Sequence, residues 1–349
     1  MAVTAATVSV RAEDDTRGPI MNTARPDHET IRAALALAIR APSVHNSQPW
    51  RWRVGDETVH LYADPDRQLP HIDPAQRDMM LSCGVALQHF TVALAALGWH
   101  SHVHRFPNPA EPGHLAAVEI GARGTSEQDI ALAAAIPRRR TDRRWYSSWP
   151  VPPGDVALMA ARAARAGVTL RRVPTPGPLA ELVAAAVREH ATDAEYLAEL
   201  SMWSGRYESL AGVPARNTPA PDREAAIPAR VFANPALPQP QNAAARDDAG
   251  VVVVLATATD DRVAQLRAGE ATGVVLLTAT ALGLATCPLT EPLEINSTRE
   301  AVRSIVLGDD GYPQMLLRIG WAPVNADPLP ATPRRPIEDM VKRLDGSLF

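Results

Sequence analysis

The apolar positions of this 349-residue chain fall into two similar sets of helices and strands. Cys83-Gly-Val-Ala-Leu-Gln-His-Phe-Thr-Val-Ala-Leu-Ala-Ala-Leu-Gly-Trp99 lies without gaps on Ala268-Gly-Glu-Ala-Thr-Gly-Val-Val-Leu-Leu-Thr-Ala-Thr-Ala-Leu-Gly-Leu284, with five of seventeen positions identical. Each run is apolar on most sides, which predicts a helix in the centre of the molecule. Each closes on Leu-Gly, where glycine takes the left-handed conformation that ends a helix. A strand pattern ending in Ile-Gly follows in both, at Ala116–Gly121 and Met315–Gly320. The β-branched run Val251–Leu255 reads as a buried strand, and Trp50–Val54 and Thr58–Tyr62, around Gly55-Asp56, read as a hairpin. Helical periodicity also covers His28–Arg40, Pro153–Ala166 and Leu179–Trp203. The pattern predicts an α+β fold made of two tandem units, 25–130 and 131–349, around central buried helices.

Two stretches depart from it. Residues 204–248 carry a proline-rich insertion, including Pro214, Pro219, Pro221, Pro228, Pro235, Pro238 and Pro240; inside a compact domain such a segment is either functional cover or disorder. Residues 1–24 read as a disordered tail and lack the features of a secretory signal. Residues 271–290 are uncharged and long enough to span a membrane, but their threonines, glycines and Pro288 favour a buried helix running into a loop. No membrane segment is expected.

Composition narrows the chemistry. The balance of 35 basic and 39 acidic residues gives no reason to expect a polyanion partner. Cys83 and Cys287 have no metal or redox spacing, consistent with a reducing cytoplasm. His100, His102 and His104 share one side of a strand without a carboxylate or thiol to complete a metal set, so an exposed strand face is the reading. There is no P-loop, GxGxxG or Ser-His-Asp order.

Two motifs remain. Ala41-Pro42-Ser43-Val44-His45-Asn46-Ser47-Gln48-Pro49-Trp50 combines rigid prolines, a hydroxyl and two primary amides. It suits a loop that hydrogen-bonds the edge of a flat heterocycle, and equally a plain turn between helix and strand. Ala135-Ile-Pro-Arg-Arg-Arg-Thr-Asp-Arg-Arg-Trp145, followed by Pro150-Val-Pro152, is a basic turn able to grip an anion; alone it could also be a solvated turn or a nucleic-acid patch, although the net acidic chain lacks interleaved aromatics.

The first motif, with pattern A-P-S-x-x-N-x-Q-P-W, resembles a flavin-binding signature of the nitroreductase family. The second resembles the Arg-rich start of a subunit of that family, with Thr141 and Trp145 as substitutions. Gly283-Leu284-Ala285-Thr286 resembles its G-L-G-T loop, with Ala285 in place of glycine, and Arg334-Arg335-Pro336 its closing R-R-P element. Family subunits form intertwined dimers with a flavin between them. Here the first unit keeps the Asn-Gln loop and the second keeps the arginine start, so the resemblance implies a single-chain pseudodimer of the Acg-type branch. The resemblance further implies that one complete FMN site survives and that residues 204–248 form a lid over it.

Carried over by position, Arg139 and Thr141 would hold the phosphate, with Arg334 reaching it and Arg40 assisting. Arg143 would lie near the flavin ring. Pro42 and Ser43 would pack against the ring, Asn46 would meet its polar edge, and Gln48 would tie the loop to the next strand. His45 is either a surface residue or a contact. Backbone N–H groups of Leu289, Thr290 and Glu291 would face flavin N5. The resemblance implies an FMN-dependent oxidoreductase passing hydride from NAD(P)H to a nitroaromatic, quinone or related acceptor; the alternative is an FMN storage protein with little turnover. Because one chain supplies both sides of the cleft, a monomer or a weak homodimer is expected, with a small-molecule substrate and no nucleic acid.

Overall fold

The computed structural model describes residues 25–206, 209–222, 224–241 and 243–349. The tail expected at 1–24 lies outside them, as do Tyr207, Glu208, Arg223 and Asn242 of the insertion. The first unit runs α1 (His28–Ala38), β1 (Trp50–Val54), β2 (Thr58–Ala63), α2 (Arg77–Ala96), β3 (Trp99–Arg105) and β4 (His114–Ala122). Helix α3 (Glu127–Ala135) follows, held by a capping box between Ser126 and Asp129. The second unit runs α4 (Pro153–Ala164), β5 (Thr169–Arg172), α5 (Pro176–His190), α6 (Ala194–Met202), the short pair β6 (Ser204–Arg206) and β7 (Val213–Pro214), β8 (Val251–Thr257), α7 (Arg262–Ala281), β9 (Ala285–Pro288), α8 (Glu291–Glu294), α9 (Asn296–Leu307) and β10 (Tyr312–Gly320). A tail adds α10 (Ile337–Met340) and β11 (Val341–Arg343).

The helix expected over Leu179–Trp203 is broken. Its apolar spacing continues, but Asp193 accepts hydrogen bonds from the N–H groups of Glu195 and Tyr196 and starts a new helix. An aspartate so placed gains more as a cap than within a helix.

Each unit builds a four-stranded antiparallel sheet in equivalent order, β1-β2-β4-β3 and β5-β8-β10-β9. The alignment that sets Cys83 on Ala268 also sets His100 on Ala285 and Val103 on Pro288. The cross-strand pairs obey it: His100 faces Gly121 and Val103 faces Val118, while Ala285 faces Gly320 and Pro288 faces Leu317. Register is fixed by which face each side chain must bury. Strand β11 crosses back and adds parallel to β1, pairing Val341 with Trp52, so the end of the chain belongs to the first sheet.

The central helices α2 and α7 pack on each other, with α1 and α3 against α2 and α4 and α3 against α7. Leu266 of α7 is buried in the first core and Leu81 of α2 in the second. Both helices stop at glycines in the left-handed region, Gly98 and Gly283, with φ of 89° and 85°. Among the described residues, Arg77–Ala96 is long and apolar enough to cross a membrane, yet it is this buried central helix. On β3, His100, His102 and His104 are exposed, and no metal-binding group of His, Cys, Asp or Glu occurs among the described residues.

Candidate functional site

The site is built on the loop that follows α1. His45, Asn46 and Gln48 all take positive φ, 45°, 54° and 54°. Such backbone costs about 1–3 kcal/mol per residue and persists only where surroundings over-determine it. Here they do. Ser43 Oγ accepts from Gln48 N–H (2.9 Å), and Val44 N–H donates to Ser82 Oγ of α2 (3.0 Å). Gln48 Nε2 donates to Leu210 O (2.8 Å), and its Oε1 accepts from Arg335 N–H (2.9 Å). The loop is thereby bolted to the insertion and to the C-terminal tail, where Gln48 was expected to tie it to the following strand.

Asn46 is disposed differently from the expectation. Its Nδ2 donates to Gly212 O (3.1 Å) and Pro333 O (3.2 Å), and its Oδ1 accepts from Arg334 Nη1 (2.9 Å). The left-handed backbone turns this amide into the protein, away from the cavity that its neighbours line. Pro42, Ser43, Val44 and His45 do line it.

That cavity holds about 260 Å³. Facing the Ser43 loop across it are Thr141 and Arg143 of the basic turn, so the two motifs, a hundred residues apart in sequence, meet on one space. The turn is seated by the second sheet: Asp142 N–H donates to Thr286 O (2.9 Å), beside the bridge between Thr141 and Thr286. The floor comes from the central helices, with Leu81, Val85 and Leu276 among its apolar residues. Burial holds the Arg143 guanidinium below its ordinary value. Arg143 also lies over the Phe232 ring, 4.8 Å from its centroid.

Just before Thr141, four guanidiniums gather around a second, small pocket lined by Arg40, Arg139, Arg140 and Arg334 with Ile136, Ala331 and Thr332. No carboxylate lines it. Arg139 is buried, and neither its Nε nor its Nη1 has a partner; the same is true of Arg40 Nε. Burial, then the neighbouring guanidiniums, pushes Arg139 down to about 10 and Arg334 to about 9. Unpaired buried charge is costly, and an anion of phosphate geometry would satisfy these planar donors.

Arg334 itself is spent elsewhere. Its Nε donates to Ile39 O (3.1 Å), and its Nη2 donates to Arg40 O and Ala41 O (both 3.0 Å). With Nη1 on Asn46, Thr332 and Pro333, it caps the C-terminus of α1 rather than presenting a free fork to an anion, as had been expected. The expectation for Leu289 also changes: its N–H donates to Leu316 O (2.8 Å) within the sheet. Thr290 and Glu291 line the cavity, and among the described residues their N–H groups have no protein acceptor, being at the start of α8.

The roof was not resolved residue by residue in the sequence. Pro219, Ala220, Asp222, residues 225–230, Phe232 and Gln239 line one wall of the cavity. Arg230 is its anchor: Nη1 donates to Tyr196 Oη (2.7 Å) and to His45 Nε2 (3.0 Å), and Nη2 to Thr290 Oγ1 (3.3 Å) and to Glu294. His45 is buried and edge-on to Phe232, with ring centroids 5.9 Å apart. Burial, then Arg230 and Arg143, holds its imidazole well below 6.5, so it accepts from Arg230 as the neutral ring. Farther round, Arg318 pairs with Asp248 (2.5 Å) and Arg144 with Asp142 (2.9 Å). Nothing in the pattern of residues had singled out Arg230, Phe232 or Asp78, another cavity-lining group.

A family model described as the nitroreductase family matches residues 136–321. A Mycobacterium tuberculosis H37Rv protein named "Putative NAD(P)H nitroreductase Rv3131" is 59% identical over 329 residues, covering 94% of this chain and 96% of that protein. The chain belongs to the nitroreductase family. "Putative NAD(P)H nitroreductase acg" of the same strain is 39% identical over 321 residues, covering 89% of this chain and 95% of its own length. Among solved structures, the FMN-dependent nitroreductase NfnB from Mycobacterium smegmatis in complex with NADPH is similar at 16% identity and a TM-score of 0.39. It spans 62% of this chain and 99% of that one. A nitroreductase with bound FMN from Bacteroides fragilis is similar at 16% identity and a TM-score of 0.37, over 58% and 92%. The family model begins at Ile136 and so takes in the basic turn and the β9 to β10 pair, whereas the Ser43 loop lies outside its span.

Proposed function

We propose that this nitroreductase-family chain is an FMN-dependent NAD(P)H oxidoreductase acting on a nitroaromatic, quinone or related acceptor. The observation that carries the reading is the meeting of the Ser43 loop and the Thr141 turn on one cavity, next to four guanidiniums with no counter-charge. Arg139 and Arg40, with unpartnered buried nitrogens, fit the phosphate, and Thr141, two residues after Arg139, lines the adjoining cavity. Pro42, Ser43 and Arg143 fit the ring. When bound, FMN supplies the hydride relay between nicotinamide and acceptor. The chain's own part is to fix the cofactor, wall the cavity with apolar side chains and set a guanidinium, Arg143, where negative charge grows.

We also infer that the two units are halves of an internal pseudodimer, so that a monomer suffices. Matching strand order, matching register and the exchange of Leu81 and Leu266 between the cores support it. The cavity has one basic turn and one Ser43 loop, hence a single FMN per chain.

The second reading, FMN storage with little turnover, draws support from the insertion, because its Arg230 and Phe232 line the cavity and narrow the room left for an acceptor. Rapid anaerobic mixing of FMN-loaded protein with NADPH separates the two. Bleaching of the flavin absorbance within seconds supports the enzyme; persistence of the oxidised spectrum overturns it in favour of storage.

A further inference from the structure

The two units do not treat their mirrored positions alike. In both, the ladder of the edge strand runs on one pair beyond Val103 and Pro288, to His104 with Ala117 and Leu289 with Leu316, so Arg105 is the counterpart of Thr290. On the central helices Glu270 is the counterpart of Val85. Val85 and Thr290 line the cavity. Their counterparts bond each other instead: Arg105 Nε donates to Glu270 Oε1 (2.7 Å) and Nη2 to Oε2 (2.6 Å). Glu270 is 6% exposed, and this planar fork satisfies both its oxygens.

Neighbouring counterparts close in the same way. Phe106, which stands where the second unit has Glu291, lies under the Arg262 guanidinium at 5.2 Å. Leu87 and Leu266, the counterparts of the cavity-lining Thr272 and Leu81, are fully buried in the first core. The loop that would complete a second site is cut short: residues 39–49 join α1 to β1, whereas only 165–168 join α4 to β5. Where Ser82 Oγ receives the Val44 N–H in the first unit, the second places Arg267 beside that short turn, with Nη1 3.9 Å from where a Cβ on Gly167 would stand.

We propose that the Arg105–Glu270 pair seals the second cofactor site of the pseudodimer and limits the chain to one flavin. The proposal rests on the pseudodimer reading above. Valine and threonine leave between them a gap that a flat heterocycle fills. A carboxylate and a guanidinium at the same two positions reach across that gap and satisfy each other with no ligand. Either change alone would strand a charge among buried side chains, so the two belong together. With one site sealed, a single insertion can roof the chain's whole flavin complement.

The test exchanges residues between the mirrored positions of the full chain. Flavin equivalents are read by equilibrium dialysis, and cofactor-free stability from urea midpoints. Val85→Glu combined with Thr290→Arg should weaken FMN roughly 100-fold. Its cofactor-free midpoint should stand close to that of wild type, whereas Val85→Glu alone should lower it. A second variant carries Arg105→Thr, Glu270→Val and Arg267→Ser, each residue replaced by its counterpart. It should hold the first FMN within about threefold of wild type, because the changes lie away from that site. Wild type should take one equivalent of lumichrome, a bare ring that needs no phosphate pocket, and this variant a second, weaker one. Undiminished FMN affinity in the first variant, a double change no more stable than Val85→Glu alone, or a single lumichrome equivalent in the second variant overturns the proposal and leaves the pseudodimer reading intact. A wild type that takes up FMN only as a dimer of chains overturns that reading and this proposal together.

Discussion

Gly84 and Gly269 meet backbone to backbone at the centre of the molecule, and each is placed to the other as its counterpart is. A Cβ on Gly84 would fall 2.2 Å from Leu266 O and 2.9 Å from Gly269 Cα; one on Gly269 would fall 2.2 Å from Leu81 O and 2.9 Å from Gly84 Cα. The alignment of the two helices pairs these same residues, Gly84 with Gly269 and Leu81 with Leu266. Reciprocal contact of this kind is what an isologous interface gives, and it supports the reading of the two units as halves of a pseudodimer.

Gly84→Ala and Gly269→Ala should therefore each be strongly destabilising. Overpacking commonly costs about 1–3 kcal/mol, and a methyl driven into a backbone carbonyl belongs at the top of that range or above it. The double variant should cost less than the two single losses added together, because one widening of the helix pair relieves both clashes. Urea midpoints of the three variants check this.

How much of this was legible in the sequence depends on what kind of constraint fixed each part. The central helices, their Leu-Gly stops and the strands after them were readable, because burial on all sides and a left-handed cap leave strong local marks. The start of α6 was not, since the periodicity from Leu179 onward hides a cap at Asp193. Strand β11 has no local signal and exists only because the edge of β1 is near. Within the site, residue types were readable but directions were not. Asn46 and Arg334 lie on the expected motifs yet bond each other, a consequence of left-handed backbone and of the free carbonyls ending α1. Arg230 sits in a proline-rich stretch with no periodicity, so only the fold brings it to Glu294.

Removing the Arg139 side chain should act in opposite directions on the empty and loaded protein. Its buried, unpartnered guanidinium is a cost without an anion, so Arg139→Ala should raise the melting temperature of the cofactor-free chain. The same change should weaken FMN by about 1.5–3 kcal/mol, the worth of a charged hydrogen bond, and leave riboflavin binding nearly unchanged. Thermal melts with and without each flavin test both halves.

Arg230→Ala should loosen the roof. It leaves Glu294 and Glu291 buried without their cation, a loss of about 3–5 kcal/mol when one partner of a buried pair is removed. Cleavage between residues 214 and 242 by a dilute protease should accelerate. Deleting 214–242 outright should raise the rate of nitro-compound or quinone reduction; an unchanged rate with flavin retained would contradict the role of this segment as a cover.

Acid should destabilise the fold through two buried histidines. Burial, then Arg139 and Arg334, lowers His89 to about 3, and both its ring nitrogens lack partners; His45 is held well below 6.5. The unfolded chain therefore binds more protons than the native one once pH drops below about 6.5. Their contribution is complete above that value and is lost progressively toward pH 3, by up to about 1.4 kcal/mol per pH unit for each histidine. Replacing His89 with leucine should flatten this slope relative to wild type, as read from urea midpoints between pH 7.5 and 5.

The most direct measurement is the visible spectrum of the purified chain titrated with FMN, with its mass in solution determined alongside. A monomer that saturates at one FMN per chain, with uptake weakened in Arg139→Ala, is the expected result. No spectral shift, two equivalents per chain, or undiminished uptake by the variant would contradict a single flavin held between the Ser43 loop and the Thr141 turn.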